Sequence, residues 1–403
     1  MRVMFLSYYY LPHAGGGTWS VYYLSRHLAL KGNLIRLIVP NVRYSSSFDS
    51  ASSKLIEVGN PSLLLRTPSF PMPRILGPAL SPLFLLVNGL RVKGIDIILC
   101  QFHPHHFVLL VGLLLGRILR RPVVARADDI QKEIGTRRPF YAKLMNLVNE
   151  RFIRFTSEFL VVLPEDVKIL GTRSKTSRIT VSPNGVDLSE LAGISKEDAR
   201  SYLGIGQKTK LILFVGRSSG LEYRTEALIG AFPIIQEFFP DSVLFFVGDR
   251  APYGLRLDAV NRESFRVLGP TNRNEIRKFL AAADVCVGPL GPTNTMPSKV
   301  LEYMASGKPV VTGIRSVADC LALNHFNCVC VPPEPMAVAN AILSILEDEE
   351  YGRKLGSNAR LTAEKFSWAD IATDLETVLL TSISRMNGSG PYNGESSPSS
   401  EFA

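Results

Sequence analysis

The stretch "PSKVLEYMASGKPVV" at residues 297–311 sets an ammonium, Lys299, and a carboxylate, Glu302, three residues apart in an otherwise apolar run. Read as a helix, the run has Pro297 in its first turn and stops at Gly307, which suits the residue just past a C-terminus. Side chains three apart share a face, so Lys299 and Glu302 project together, away from the Val300/Met304 side that a core requires. The plain alternative is a solvated i,i+3 ion pair worth about 0.2–0.5 kcal/mol. The chemical alternative is a small site: an ammonium offsets phosphate charge, and a carboxylate accepts hydrogen bonds from hydroxyls.

Three other places carry residues suited to chemistry. In "PHAGGGTWS" (12–20), Gly15, Gly16 and Gly17 permit positive φ and close backbone approach. Thr18 reads as the cap of the helix that follows, and free N–H groups at such a helix start suit a phosphate. The spacing is not the dinucleotide GxGxxG, and no acidic ribose ligand follows at the matching distance, which argues against a dinucleotide oxidoreductase. In "FVGRSSGLEYR" (214–224), Arg217 stands just past the end of a strand, where open α/β sheets bind ligands, and Arg224 follows seven residues later. In "FHPHHF" (102–107), no carboxylate or cysteine lies at ligand spacing beside the histidines, so no metal is expected. A loop at a strand's C-terminal end lets His103 touch a substrate instead.

The elements that must position these residues alternate. Strands are expected at 2–7, 34–39, 95–100, 122–126, 158–163 and 178–182, with helices at 18–31, 107–120 and 138–155. After "PNGVD" (183–187) the alternation restarts, with strands at 210–215, 243–247, 265–268, 284–288, 309–312 and 328–331. Helices fall at 225–238, 273–282, 297–306, 335–348 and 350–365, and an amphipathic run at 366–383 is a further helix. Strands alternating with helices imply βαβ units and parallel sheets. The fold class is therefore α/β, two Rossmann-like domains facing a cleft. The segment 44–90, rich in Ser, Pro and Leu, receives no element. Residues 384–403 read as a disordered tail.

The chain has 403 residues, enough for two domains, with 46% hydrophobic and 20% charged residues, a globular composition. Its five cysteines are scattered and read as buried free thiols of a reducing cytoplasm. The N-terminus lacks the apolar core and cleavage site of a signal peptide, and "FVLLVGLLLG" (107–116) is shorter than the ~20 residues of a membrane span. Charge divides unevenly: residues 1–185 hold 24 Lys+Arg against 10 Asp+Glu, and residues 186–403 hold 21 against 26. Such asymmetry points to an anionic partner for the first half. Nucleic acid is one candidate, but no recognisable nucleic-acid motif is present and the basic residues alternate with long apolar runs. The clusters Arg117–Arg120–Arg121 and Arg137–Arg138 suit reversible docking on an anionic membrane surface.

In order, the motifs "PHAGGG", "PNGVD", "FVGR", "LFFVGDR", "VLGP", "AAADVCVGP", "PSKVLEYMASGKPVV" and "FSW" resemble those of the retaining, nucleotide-sugar-dependent glycosyltransferases of family 4, the group 1 type, with the GT-B fold. The resemblance covers about residues 1–383. It implies an N-terminal acceptor domain (1–185, completed by helix 366–383) and a C-terminal nucleotide-sugar domain (186–365). It implies that Gly15–Gly17 lie against the donor's sugar and diphosphate, that Arg217 binds the diphosphate, and that Glu302 accepts from the ribose hydroxyls. Transfer of a hexose-type sugar to a glycan or lipid-linked acceptor would proceed with retention and without a metal or other cofactor. A same-fold nucleotide-sugar epimerase is the rival of like build. The sequence departs from the family at three places. Asn294 stands where the family has the first glutamate of its E-x7-E motif. Glu222 or Tyr223 stands where it has a lysine, with Arg224 or Lys299 as substitutes. "ARADD" (125–129) lacks the family's histidine, leaving Asp128 nearest.

Overall fold

The structure is a computed structural model that describes residues 1–10, 16–42, 63–72, 76–103, 106–128, 152–153, 155–173, 178–191, 193–216, 222–248, 263–269, 271–292, 296–317, 319 and 321–388. The chain divides into two compact units, Met1–Asn184 with Trp368–Ala403, and Gly185–Ser367.

The first unit is built on a seven-stranded sheet of β1 (Arg2–Leu6), β2 (Leu34–Val42), β3 (Leu63–Met72), β4 (Ile97–Phe102), β5 (Val123–Ala127), β6 (Glu158–Val161) and β7 (Arg178–Val181). All pairs are parallel, in the order β3-β2-β1-β4-β5-β6-β7. Parallel sheets are covered on both faces, which is why these strands read as continuous apolar runs. Alternate residues of β1 serve opposite cores. Val3 and Phe5 pack with Val21, Leu24 and Leu28 of helix Gly16–Leu30 and with Trp368, Ile371 and Leu375 of helix Trp368–Met386. Met4 and Leu6 pack on the other face with Leu85 of helix Gly77–Arg91 and Val111 and Leu115 of helix Val108–Leu119. The last helix is further tied to this unit by Asn33, whose Nδ2 donates to Glu376 Oε1 at 2.6 Å. It continues to Met386, so residues 384–386 are helical rather than tail; residues 389–403, and the helix expected at 138–155 apart from residues 152, 153 and 155, lie outside the described residues.

The segment 44–90 holds β3 and helix Gly77–Arg91, neither of which the sequence reading assigned. Prolines hid both. Pro68 and Pro71 sit in β3, tolerable because β3 is an edge strand. Pro78 falls in the first turn of the helix, where a missing N–H donor costs least, and Pro82 lies inside it, in the second turn.

The second unit carries β8 (Leu211–Val215), β9 (Val243–Val247), β10 (Phe265–Leu268), β11 (Val285–Val287), β12 (Val310–Gly313) and β13 (Val329–Val331). They pair in parallel in the order β10-β9-β8-β11-β12-β13. Helices Thr225–Phe238 and Pro335–Glu347 bury Leu228, Phe232, Val338 and Ile342 against Phe214, Phe246 and Val311. A short helix, Lys196–Leu203, also escaped the sequence reading; Ser195 caps it by accepting from Asp198 N at 3.0 Å. Cys100 and Cys286 are buried thiols, and burial pushes Cys286 up to about 12. Cys328 and Cys330 are not scattered in space: their Sγ atoms lie 3.6 Å apart.

In each sheet the strand order reverses once, between β1 and β4 and between β8 and β11. Loops leaving two such strands run apart, and the opening at their carboxyl ends is where open α/β sheets take ligands.

Candidate active site

At the β1/β4 reversal the first unit has a small cavity of about 40 Å³, room for only a few water molecules, lined by Ser7, Tyr9, Gly17, Gln101, His103 and Asp128 among others. β1 delivers Ser7 and Tyr9, β4 delivers Gln101 and His103, and β5 delivers Asp128. Three of the residues singled out from sequence, Gly17, His103 and Asp128, are thus brought together.

Asp128 is the best-held group there. Its Oδ2 accepts from Gln101 Nε2 at 2.5 Å and from Ser20 Oγ at 3.1 Å, and its Oδ1 pairs with Arg126 Nη1. Arg126 is fully buried. Its Nη2 donates to Pro183 O and Asn184 Oδ1, both at 3.1 Å, and its guanidinium lies 5.9 Å from the Trp368 ring centroid. Two motifs far apart in the chain, "ARADD" and "PNGVD", are therefore joined by this one side chain. The sequence reading did not single out Arg126. The available signal was a charge inside an apolar parallel strand, which is found there only when paired.

Gly17 is required by space. A Cβ at this position would lie 2.8 Å from Asp128 Oδ2. The helix begins at Gly16, so Gly16 and Gly17 form its first turn rather than a loop, and Thr18 lies buried within the turn and does not cap it. Gly15 lies outside the described residues. Helix starts carry unsatisfied N–H groups and partial positive charge, which favours a carboxylate such as Asp128 nearby. Gly17→Ala is expected to lower turnover about tenfold or more by displacing that carboxylate. The melting temperature should change little, because Ala suits a helix better than Gly by about 0.5–1 kcal/mol. Kinetics and a thermal melt on one preparation check both halves.

His103 faces Tyr9 edge-on, ring centroids 5.4 Å apart. Its neighbour His106 is structural: buried, stacked on Tyr8 at 3.5 Å and sharing a hydrogen bond of 2.9 Å with Tyr9 Oη. Among the described residues no cluster of three or more His, Cys, Asp or Glu is placed to hold a metal.

In the second unit the helix at Ser298–Ala305 ends as its sequence suggests. Gly307 has φ 68°, its N–H donates to Met304 O at 2.9 Å, and Lys308 N donates to Tyr303 O at 3.2 Å, a Schellman closure. Val300 and Met304 are buried. Tyr303 Oη accepts from Val215 N at 2.8 Å, which pins the helix to the end of β8; burial raises its phenol well above the usual range.

The i,i+3 ion pair that the spacing allows is not formed. Lys299 Nζ lies over the rings of Phe214 and Tyr223, at 4.7 and 4.3 Å from their centroids. It reaches Gly216, the first residue past β8, where a Cβ would lie 2.7 Å from Nζ. Gly216 also has φ 116°, so both space and backbone demand glycine. The next residue is Arg217, which lies outside the described residues, as does Asn294. Gly248, which follows β9, packs its α-carbon against the Gly216 carbonyl, accounting for the glycine in each "VG" pair.

Glu302 turns to a different partner. Its Oε1 accepts from Arg273 Nη1 at 2.5 Å, and Arg273 Nη2 pairs with Glu190 Oε2 at 3.1 Å. Glu302, expected to accept from ribose hydroxyls, thus has one oxygen engaged by a cation 29 residues away in sequence. Arg273 carries no local signal as a site residue; it opens an amphipathic helix, Arg273–Ala282, like any surface arginine. Arg224, the other expected substitute for the lysine, turns to its own helix. Its backbone is left-handed, φ 43°, at the entry to helix Thr225–Phe238, and its side chain pairs with Glu226. Lys299 is the described basic group that reaches the strand end.

Residues 14–190 match the family model described as Glycosyltransferase Family 4, and residues 209–348 the model described as Glycosyl transferases group 1. The chain is 28% identical over 237 residues to the D-inositol 3-phosphate glycosyltransferase of Corynebacterium urealyticum, covering 55% of each. It is 25% identical over 205 residues to the phosphatidyl-myo-inositol mannosyltransferase of Mycobacterium tuberculosis, covering 49% of this chain and 53% of that one. The chain thus spans about half the length of the curated relatives it matches. The crystal structure of Anabaena HepE in complex with UDP and glucose matches with a TM-score of 0.71 at 19% identity, covering 94% of this chain and 100% of that one, a likeness of fold. With one family model on each of its two Rossmann-like units, the chain belongs to the group 1, family 4 glycosyltransferases of GT-B fold.

Proposed function

We propose that the protein transfers a hexose-type sugar from a nucleoside-diphosphate sugar to a glycan or lipid-linked acceptor, with retention of anomeric configuration and no metal. The second unit takes the donor's nucleotide and the first takes the acceptor. The observation that carries this reading is the placement of Lys299 Nζ against Gly216, at the carboxyl end of β8 where the strand order reverses. Breaking the anomeric C–O bond leaves negative charge on the diphosphate, and a cation fixed at that spot stabilises the charge as it grows. Arg217 follows directly in the chain and serves the same phosphates. Glu302 accepts from the ribose hydroxyls through the oxygen that Arg273 does not hold.

In the first unit, Asp128 and His103 face the sugar and the incoming hydroxyl, with Gln101, Ser20 and Arg126 holding the carboxylate in one orientation. The names of the two relatives point to phosphorylated inositols, and the basic first half of this chain suits an anionic acceptor of that kind. The neighbour's complex with UDP and glucose supports UDP as a nucleotide to try first.

A thermal-shift screen with UDP, GDP, ADP, NAD and duplex DNA tests the reading. Saturating UDP or GDP is expected to raise the melting temperature by roughly 5 °C or more, since ligand at about 100 times its Kd adds about 2.7 kcal/mol. A shift with NAD or DNA alone overturns it, and an epimerised donor formed without any acceptor assigns the rival chemistry. Glu302→Gln is expected to raise the donor KM about tenfold, the worth of a hydrogen bond to a charged group, with less effect on kcat.

A further inference from the structure

We propose that Arg273, braced by Glu190, is a positioning residue that aims Glu302 and thereby sets a preference for ribonucleotides over 2′-deoxyribonucleotides. The proposal rests on the reading of Glu302 as acceptor of the ribose hydroxyls and adds what holds that carboxylate. Arg273 Nη1 donates to Glu302 Oε1 at 2.5 Å, and Nη2 donates to Glu190 Oε2 at 3.1 Å. The three residues come from three elements of the second unit: helix Arg273–Ala282, helix Ser298–Ala305 and the short 3-10 helix Leu188–Leu191. The side chains of Arg273, Glu302 and Glu190 are only 16%, 14% and 25% exposed.

Both charges of the Arg273–Glu302 pair stand at the wrong ends of their helices. Arg273 is the first residue of its helix, where the backbone already carries partial positive charge. Glu302 lies in the last turn of its own, where the partial charge is negative. Each placement is unfavourable in an isolated helix, and the pairing offsets both. Local preference therefore accounts for neither residue, and departures of this kind concentrate at functional sites.

The backbone on every side of the trio is held. Beneath Glu302, Tyr303 Oη accepts from Val215 N at 2.8 Å, and Ser306 Oγ donates to Glu302 O at 2.6 Å. Asn272 Oδ1 caps the helix of Arg273 by accepting from Glu275 N at 3.0 Å. Asp187 Oδ1 accepts from Ser189 N at 3.1 Å and from Ser189 Oγ at 2.5 Å, which fixes the turn that carries Glu190. Between these anchors only side-chain torsions remain free. A guanidinium donates from several nitrogens in a rigid plane, so it spans two carboxylates and locks both. Glu302 is thereby held with one oxygen engaged and the other left to accept. A ribose hydroxyl then meets an acceptor that is already aligned, with less ordering cost on binding. A 2′-deoxyribose leaves that acceptor unmet, which is the kind of loss a site built around a hydroxyl discriminates strongly.

The test is calorimetric titration of the full chain with UDP, GDP and ADP, each beside its 2′-deoxy form. Wild type is expected to bind the ribo form of its preferred nucleotide about tenfold or more tighter than the 2′-deoxy form, the worth of a hydrogen bond to a charged group. Arg273→Gln should cut that ratio to about threefold or less, with thermal melts checking the fold. On a Glu302→Gln background, Arg273→Gln should change the ratio no further, because it acts through that carboxylate. Glu190→Gln should lower the ratio in the same direction but less, and it carries the test alone if Arg273→Gln fails to fold; an unchanged ratio there then overturns the proposal. An Arg273→Gln protein with the wild-type ratio overturns it while leaving Glu302 in its role. So does a further fall on the Glu302→Gln background, which would mean that the arginine touches the ligand itself. A wild type that binds none of the three nucleotides, or binds ribo and 2′-deoxy forms alike, removes the reading of Glu302 and this proposal with it.

Discussion

Lys299→Met is expected to lower turnover by about two to three orders of magnitude, the usual loss when one preorganised donor at a developing charge is removed. Methionine keeps the unbranched stem that packs over Phe214 and Tyr223, so the helix Ser298–Ala305 should stay docked. Only the ammonium at the β8 terminus disappears. Because the charge on the diphosphate is largest when the bond is breaking, kcat should fall much more than donor affinity. Steady-state kinetics with donor affinity measured separately decides the matter. A Lys299→Met protein that turns over at the wild-type rate would remove this side chain from catalysis, and with it the main support for the donor site in the second unit.

Arg126→Met should destabilise the first unit by about 2–4 kcal/mol, because it leaves a half-buried carboxylate without its cation and the buried acceptors at Pro183 and Asn184 without their donor. Asp128 would keep Gln101 and Ser20 but lose its ionic partner, and the carbonyl of Pro183 and the amide of Asn184 would lose a shared donor. The chain's two tryptophans, Trp19 and Trp368, both lie in this unit, so tryptophan fluorescence in a denaturant titration reports its unfolding specifically. The double variant Arg126→Met/Asp128→Asn separates charge from packing. It should recover roughly half or more of the loss, since removing both members of a buried pair is far milder than removing one. If the double variant is as unstable as the single, the side chain matters for its volume and backbone hydrogen bonds, and the Asp128 pairing is incidental.

The proposed site and the stability of the unit meet in that residue, and it shows where reading the sequence stops. An arginine within "PVVARAD" signals that some partner exists. It does not say that the partners are a carboxylate two residues on and a turn at 183–184, because strand neighbours and loop returns are set by the sheet order. The same holds for Glu302. Its helix, its face and the stop at Gly307 follow from local spacing, whereas its ion pair with Arg273 depends on which helix lies beside which. Prolines had the opposite effect in residues 63–91. They broke the apolar periodicity of an edge strand and a helix that the packed sheet accommodates.

What the sequence by itself determined is the local grammar: the apolar runs of strands buried on both faces, the helix-period stripes between them, and the glycines that close them. These follow from sterics and burial within a few residues, and they suffice for two parallel sheets. Only the tertiary structure decided which charges meet, that Lys299 rather than Arg224 reaches the β8 end, and that Gly17 exists to admit Asp128. Those outcomes rest on distances between segments far apart in the chain, and no short-range rule encodes them.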